Sequence, residues 1–137
     1  MSNDEVKKFL LRAWNVNHER EEDFERIQRL RSQLTKVTTS YSGTPGGGGN
    51  NDKLGTMIAM IASMEADYRN HMAEYYTAVK EIETVINTLS SRSHRRVLKM
   101  RYLDFYKWED IAAKMSYDIR HVTRLHHEAL EELSKTI

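Results

Sequence analysis

Arg120 and Arg124 stand four residues apart, with Ile119 and Thr123 one position before each, so in a helix the four side chains share one side. The chemistry such a set performs is recognition rather than bond making. A guanidinium offers a planar fork of donors that matches paired acceptors such as O6 and N7 of guanine, while an isoleucine or a threonine methyl can lie against the methyl of thymine. Nothing comparable points to catalysis, and the chain reads as a non-enzyme. The acidic residues are distributed along helical surfaces, and no nucleophile stands beside a recognisable base. The absence of cysteine removes disulfides, thiolate zinc sites and cysteine nucleophiles together. His121, His126 and His127 invite a metal site, but His121 and His127 are not at the i, i+4 spacing that sets two ligands side by side. These histidines read as polar helix positions, and no metal or cofactor is expected.

The charges are unevenly placed. The whole chain carries a formal net charge of +1, yet residues 92–127 hold nine Lys/Arg against four Asp/Glu, while residues 1–91 hold eleven against thirteen. A basic block inside a nearly neutral chain is the footprint expected for contact with a polyanion. Within that block Lys107, Lys114, Arg95, Arg96 and Lys99, joined by His127, are assigned to phosphates, which give affinity and salt dependence without reading sequence. Trp108 reads as a core anchor at a helix start.

The elements that must position these residues are helical: abundant Glu, Lys, Arg, Leu, Met and Ala with a single proline predict an all-α fold. Residues 1–38 form an amphipathic helix starting at Asn3 or Asp4, with Val6, Leu10, Trp14, Phe24, Ile27, Leu30, Leu34 and Val37 on its stripe. The polar stretch from Asn15 to Asp23 is either a break or the exposed part of one longer helix. Residues 39–53 hold five of the six glycines and the proline, and are expected to be a flexible linker. No Gly-x-x-x-x-Gly-Lys-Ser/Thr pattern is present, so a phosphate-cradling loop is not expected.

Residues 54–91 carry the strongest period. Leu54, Ile61, Tyr68, Tyr75, Ile82 and Leu89 recur by sevens, and Met57, Met64, His71, Ala78 and Val85 follow three residues later. The expected partner is the N-terminal helix returned antiparallel, giving a helical hairpin; the rival is the same helix of a second subunit, giving a coiled-coil homodimer. His71 falls in the seam as a hydrogen-bonded interface histidine.

Residues 92–137 change pattern to three short helical runs. Val97, Leu98, Arg101, Tyr102 and Leu103 line the first; Trp108, Ile111, Ala112 and Met115 face inward on the second. Asp118 caps the third, which continues through Val122, Leu125, Ala129, Leu130 and Leu133. Only Ser116 and Tyr117 separate the second from the third, the connection of a helix-turn-helix. The run RVLKMRYLDFYKWEDIAAKMSYDIRHVTRLHHEALEEL resembles region four of bacterial primary-type sigma factors, the module that reads the −35 promoter element. The whole chain is similar to a family of RinA-like phage-encoded regulators, through its charged leading helix, the Gly/Asn-rich segment ending in NNDKL, the long helix and the terminal motif. Ser116 departs from the pattern at a turn position usually held by glycine.

This resemblance places Ile119, Arg120, Thr123 and Arg124 where region-four modules contact bases or flanking phosphates. It implies a phage-encoded transcription regulator, a late-gene activator working on double-stranded DNA with host RNA polymerase in the bacterial cytoplasm. A DNA-packaging adaptor similar to a small terminase subunit is the alternative. With Asp4 and Glu5 at its start and no long apolar run, the chain is expected to carry neither a secretory signal nor a membrane span.

Overall fold

The computed structural model describes residues 1–41 and 48–137, with side chains left aside at 40, 41 and 48–51. Among the described residues the regular structure is all α-helix: α1 (Asn3–Leu10), α2 (Arg12–Tyr41), α3 (Gly48–Ile86), α4 (Arg92–Tyr102), α5 (Trp108–Met115) and α6 (Ile119–Thr136). None of these is long and apolar enough to cross a membrane. The expected linker is narrower than 39–53, because α2 continues through Tyr41 and α3 begins at Gly48. Thr38 and Thr39 prolong α2 by returning their hydroxyls to the carbonyls of Leu34 and Thr35, each at 2.7 Å. Residues 42–47 of that linker lie outside the described residues.

The break in the N-terminal segment falls at Leu11, not between Asn15 and Asp23. Ser2 caps α1 by accepting from the Glu5 N–H at 3.2 Å, and Asp4 and Glu5 sit at the positive end of its dipole. The described contacts then divide into two compact units, Met1–Val16 with Glu74–Ile137, and Asn17–Ala73.

In the unit Asn17–Ala73, partners on α2 and α3 run in opposite directions: Arg20 meets Met72, Asp23 meets His71, Phe24 meets Tyr68 and Arg31 meets Glu65. The long helix is therefore paired antiparallel within the chain. Met57 and Ile61, one from each of its two heptad columns, are buried, whereas the intervening Ile58 is exposed. The polar stretch of α2 is not simply solvent-facing. Asn17 and Asp23 are buried, Asn17 donating to Glu21 at 3.1 Å and accepting from Arg20. His71 lies between Asp23 and Glu19, so the seam is closed here by hydrogen bonds and charge instead of apolar packing.

In the other unit, α1, the start of α2, the end of α3, α4 and α6 share one core of Val6, Leu10, Ala13, Ala78, Ile82, Ile86, Leu98, Tyr102, Ala129, Leu130 and Leu133, joined by Leu89. A second cluster sits beside it under α4, α5 and the first half of α6: Val97, Ile111, Ala112, Met115, Val122 and Leu125. The boundary expected at Arg92 therefore does not separate a self-contained C-terminal domain. Residues from the very start of the chain complete its core, because α6 is apolar along its whole length and α4 and α5 alone cover only part of it.

Leu10 is fully buried in that shared core. Leu10→Ala is expected to cost about 2–5 kcal/mol in urea denaturation, and to lower hydrogen-exchange protection across α6 as well as α1. Undiminished protection in α6 would show that the N-terminal helix is not part of its support.

Candidate nucleic-acid interface

Three local constraints place α6. The chain leaves α5 through Ser116, whose φ of 59° and ψ of 38° are left-handed. The N–H groups of Ser116 and Tyr117 return to the carbonyls of Ala113 and Ala112 at 3.3 and 3.0 Å, satisfying orphan acceptors of the last turn. Asp118 then starts the next helix as expected, its carboxylate accepting from the His121 N–H at 2.7 Å. Val122 and Leu125 pack into the cluster with Ile111, Ala112 and Met115, so the inner side of the first turns is fixed against α5.

The loop between α4 and α5 has its own left-handed residue, Phe105, with φ 63°. Arg101 holds this loop. Its Nη1 donates to the Tyr106 carbonyl at 3.0 Å, and its guanidinium lies 4.5 Å from the ring centroid of Trp108. Trp108 is half-buried against the second cluster, in the anchoring role expected of it.

All four residues expected to read bases lie exposed on the first two turns of α6. Ile119 is 47% exposed. Arg120 makes no ion pair or hydrogen bond among the described residues. The Thr123 hydroxyl is engaged by the Ile119 carbonyl at 2.9 Å, which leaves its methyl as the group it can offer. Arg124 differs from Arg120: its Nη2 is 2.5 Å from His121 Nδ1 and its Nε is 3.9 Å from Glu128 Oε1. Glu128 in turn meets His94 Nε2 at 3.0 Å, tying the exposed side of α6 to α4.

The residues assigned to phosphates are not equivalent. Arg96, Lys107, Lys114 and His127 are exposed and Lys99 is half-buried. Lys114 holds its ammonium 5.0 Å from the Tyr106 ring. Arg95 is half-buried and partly engaged: its Nη1 donates to the carbonyls of Leu89 and Ser90 at 2.6 and 3.0 Å, holding the connection between α3 and α4.

His126 is a correction, since it is not a polar surface position. It is buried between the two clusters, its Nε2 2.7 Å from the Tyr102 hydroxyl and its ring 4.8 Å from that of Trp108. Burial, with Lys7, His127 and Arg101 adding positive charge, lowers its pKa to about 4. Burial raises the Tyr102 hydroxyl to about 12 against a smaller opposing effect of Arg101, so both partners are neutral near pH 7. The signal was in the spacing: Val122, His126, Ala129 and Leu133 are one stripe at steps of four, three and four. Tyr117, expected only as part of the connection, is exposed in the turn with its ring centroid 4.2 Å from that of His121 in an edge-on arrangement.

The chain matches no protein-family model, no curated protein and no solved structure.

Two outcomes follow from this geometry. Because His126 has a lower pKa folded than the ordinary 6.5, the unfolded chain binds the extra proton first as pH falls. Its contribution is present above about pH 6.5 and is lost down to about pH 4, amounting to up to about 3 kcal/mol. In a pH series of urea denaturations, His126→Leu should flatten the stability profile across that window; a slope equal to wild type would count against a neutral buried imidazole. Ser116→Gly should raise stability by roughly 0.5–1 kcal/mol in thermal unfolding, since glycine adopts the left-handed conformation without a Cβ penalty. A lower midpoint would mean that the turn is not left-handed in solution.

Proposed function

We propose that this chain is a sequence-specific binder of double-stranded DNA that regulates transcription, with α6 as the helix that enters the major groove. One observation carries this reading. Ile119, Arg120, Thr123 and Arg124 are exposed on the first two turns of a helix whose opposite side is locked to α5 through Val122 and Leu125. A recognition helix needs that division, because its leading exposed residues meet base edges while the helix before it crosses the backbone. The basic segment 92–127 supplies the electrostatic attraction, and Arg96, Lys99, Lys107 and Lys114 are its phosphate contacts.

Arg120 is the first base-reading residue on this account, since its guanidinium has no competing partner. Arg124 exchanges its contacts with His121 and Glu128 for DNA. The protein acts by binding and not by catalysis. The resemblance to RinA-like phage regulators extends the proposal to activation of late genes with host RNA polymerase in the bacterial cytoplasm. The pairing of α2 with α3 leaves self-association through the long helix unnecessary for covering its inner columns.

The test is selection of bound duplexes from a random pool, repeated with Arg120→Ala, Arg124→Ala and Lys114→Ala. Each arginine variant should lose roughly 1–3 kcal/mol at its own base position and relax the consensus there, whereas the lysine variant should weaken all duplexes alike and reduce the salt slope by about one. An identical consensus from both arginine variants would remove α6 as the reading element, and retention of no duplex at low salt would remove the function.

A further inference from the structure

The elbow between α1 and α2 meets the α4–α5 loop around a concave pocket of about 330 Å³, lined by Lys7, Leu11, Trp14, Arg101, Tyr102 and Phe105. That volume is at the small end of ligand clefts, which run from about 300 to 1,000 Å³. The lining is chemically one-sided. It combines two cations with three aromatic rings and a leucine, and contains no carboxylate. The Lys7 ammonium has no ion pair or hydrogen bond among the described residues. Arg101 is held by the Tyr106 carbonyl and the Trp108 ring, neither of which neutralises its charge.

Two further observations concern the same place. Phe105 forms one wall from a left-handed backbone, an unfavourable conformation for a non-glycine residue that persists only where surrounding structure holds it. The lining residue Tyr102 is held by its hydroxyl 2.7 Å from Nε2 of His126, a group whose pKa both Lys7 and Arg101 help to lower.

We infer that this pocket binds a small carboxylate with an aromatic body, the negative charge facing Lys7 and Arg101 and the ring lying against Trp14 and Phe105. Four of the six lining residues are apolar or aromatic, a surface that a compact ring carrying one charge covers and that a phosphate, with no apolar part, leaves exposed. The site is separate from the exposed side of α6, and the inference stands or falls independently of DNA binding. Its position against the α4–α5 loop would let an occupant brace the segment that sets where α5 begins.

The experiment is an NMR titration of the full chain with phenylacetate, its neutral isostere phenylacetamide, and inorganic phosphate. The expected result is saturable shifts at the Phe105 and Tyr106 amides and the Trp14 indole with phenylacetate, at least roughly tenfold weaker binding of the amide, and no saturable response to phosphate. Lys7→Met, at an exposed position outside the core, should weaken phenylacetate by roughly fivefold and leave the amide unchanged. Its spectrum away from the pocket should superpose on wild type. No saturation by about 10 mM, equal binding of acid and amide, tighter binding of phosphate, or an unaffected Lys7→Met would each overturn the assignment.

Discussion

Ser116 in the left-handed conformation ends α5, and only Tyr117 and Asp118 stand between it and the first residue of α6. With that turn, α5 and α6 cannot continue as one rod, and Val122 and Leu125 can fold back onto Ile111, Ala112 and Met115. Without it, the exposed row beginning at Ile119 would have no fixed orientation relative to the basic residues on α4 and α5. A serine meets this conformation at a cost that glycine would avoid, and the hydrogen bonds to Ala112 and Ala113 offset part of it.

Along α6 the support changes hands. Its first half rests on α5 and Val97, and its second half rests on α1 and α4. His126 marks the change, touching Tyr102 of one cluster and Trp108 beside the other. An imidazole suits this point because it is apolar enough to be buried and polar enough to satisfy a buried phenol. Among the described residues no buried side-chain nitrogen or oxygen lacks a partner, so the polar contacts between the two clusters carry no desolvation penalty left unanswered.

The two arginines on the exposed side illustrate how neighbours modify a shared sequence pattern. Arg120 is unengaged, whereas Arg124 is tethered through His121 and Glu128, and Glu128 is shared with His94 on α4. All of these groups are in contact with water, so the tether costs little to release. It does set where the guanidinium starts from.

The sequence by itself determined the helical class, the start of α6 at its Asp118 cap, and the buried rows of α5 and α6. These depend on local propensity, capping and the 3.6-residue period, all properties of short stretches. The left-handed Ser116 was also legible, because its position in the turn asks for glycine. What the tertiary structure alone decided is who covers whom. That α1 completes the core of the C-terminal helices, that α3 pairs with α2 of its own chain, and that His126 faces Tyr102 are contacts between residues distant in the chain. Periodicity identifies an inward face but carries no information about the partner, since any apolar surface of suitable shape satisfies it. His71 was legible as a hydrogen-bonded seam residue, but its partners Asp23 and Glu19 and the burial of Asn17 were not, for the same reason: only a neighbouring helix turns polar residues into buried ones.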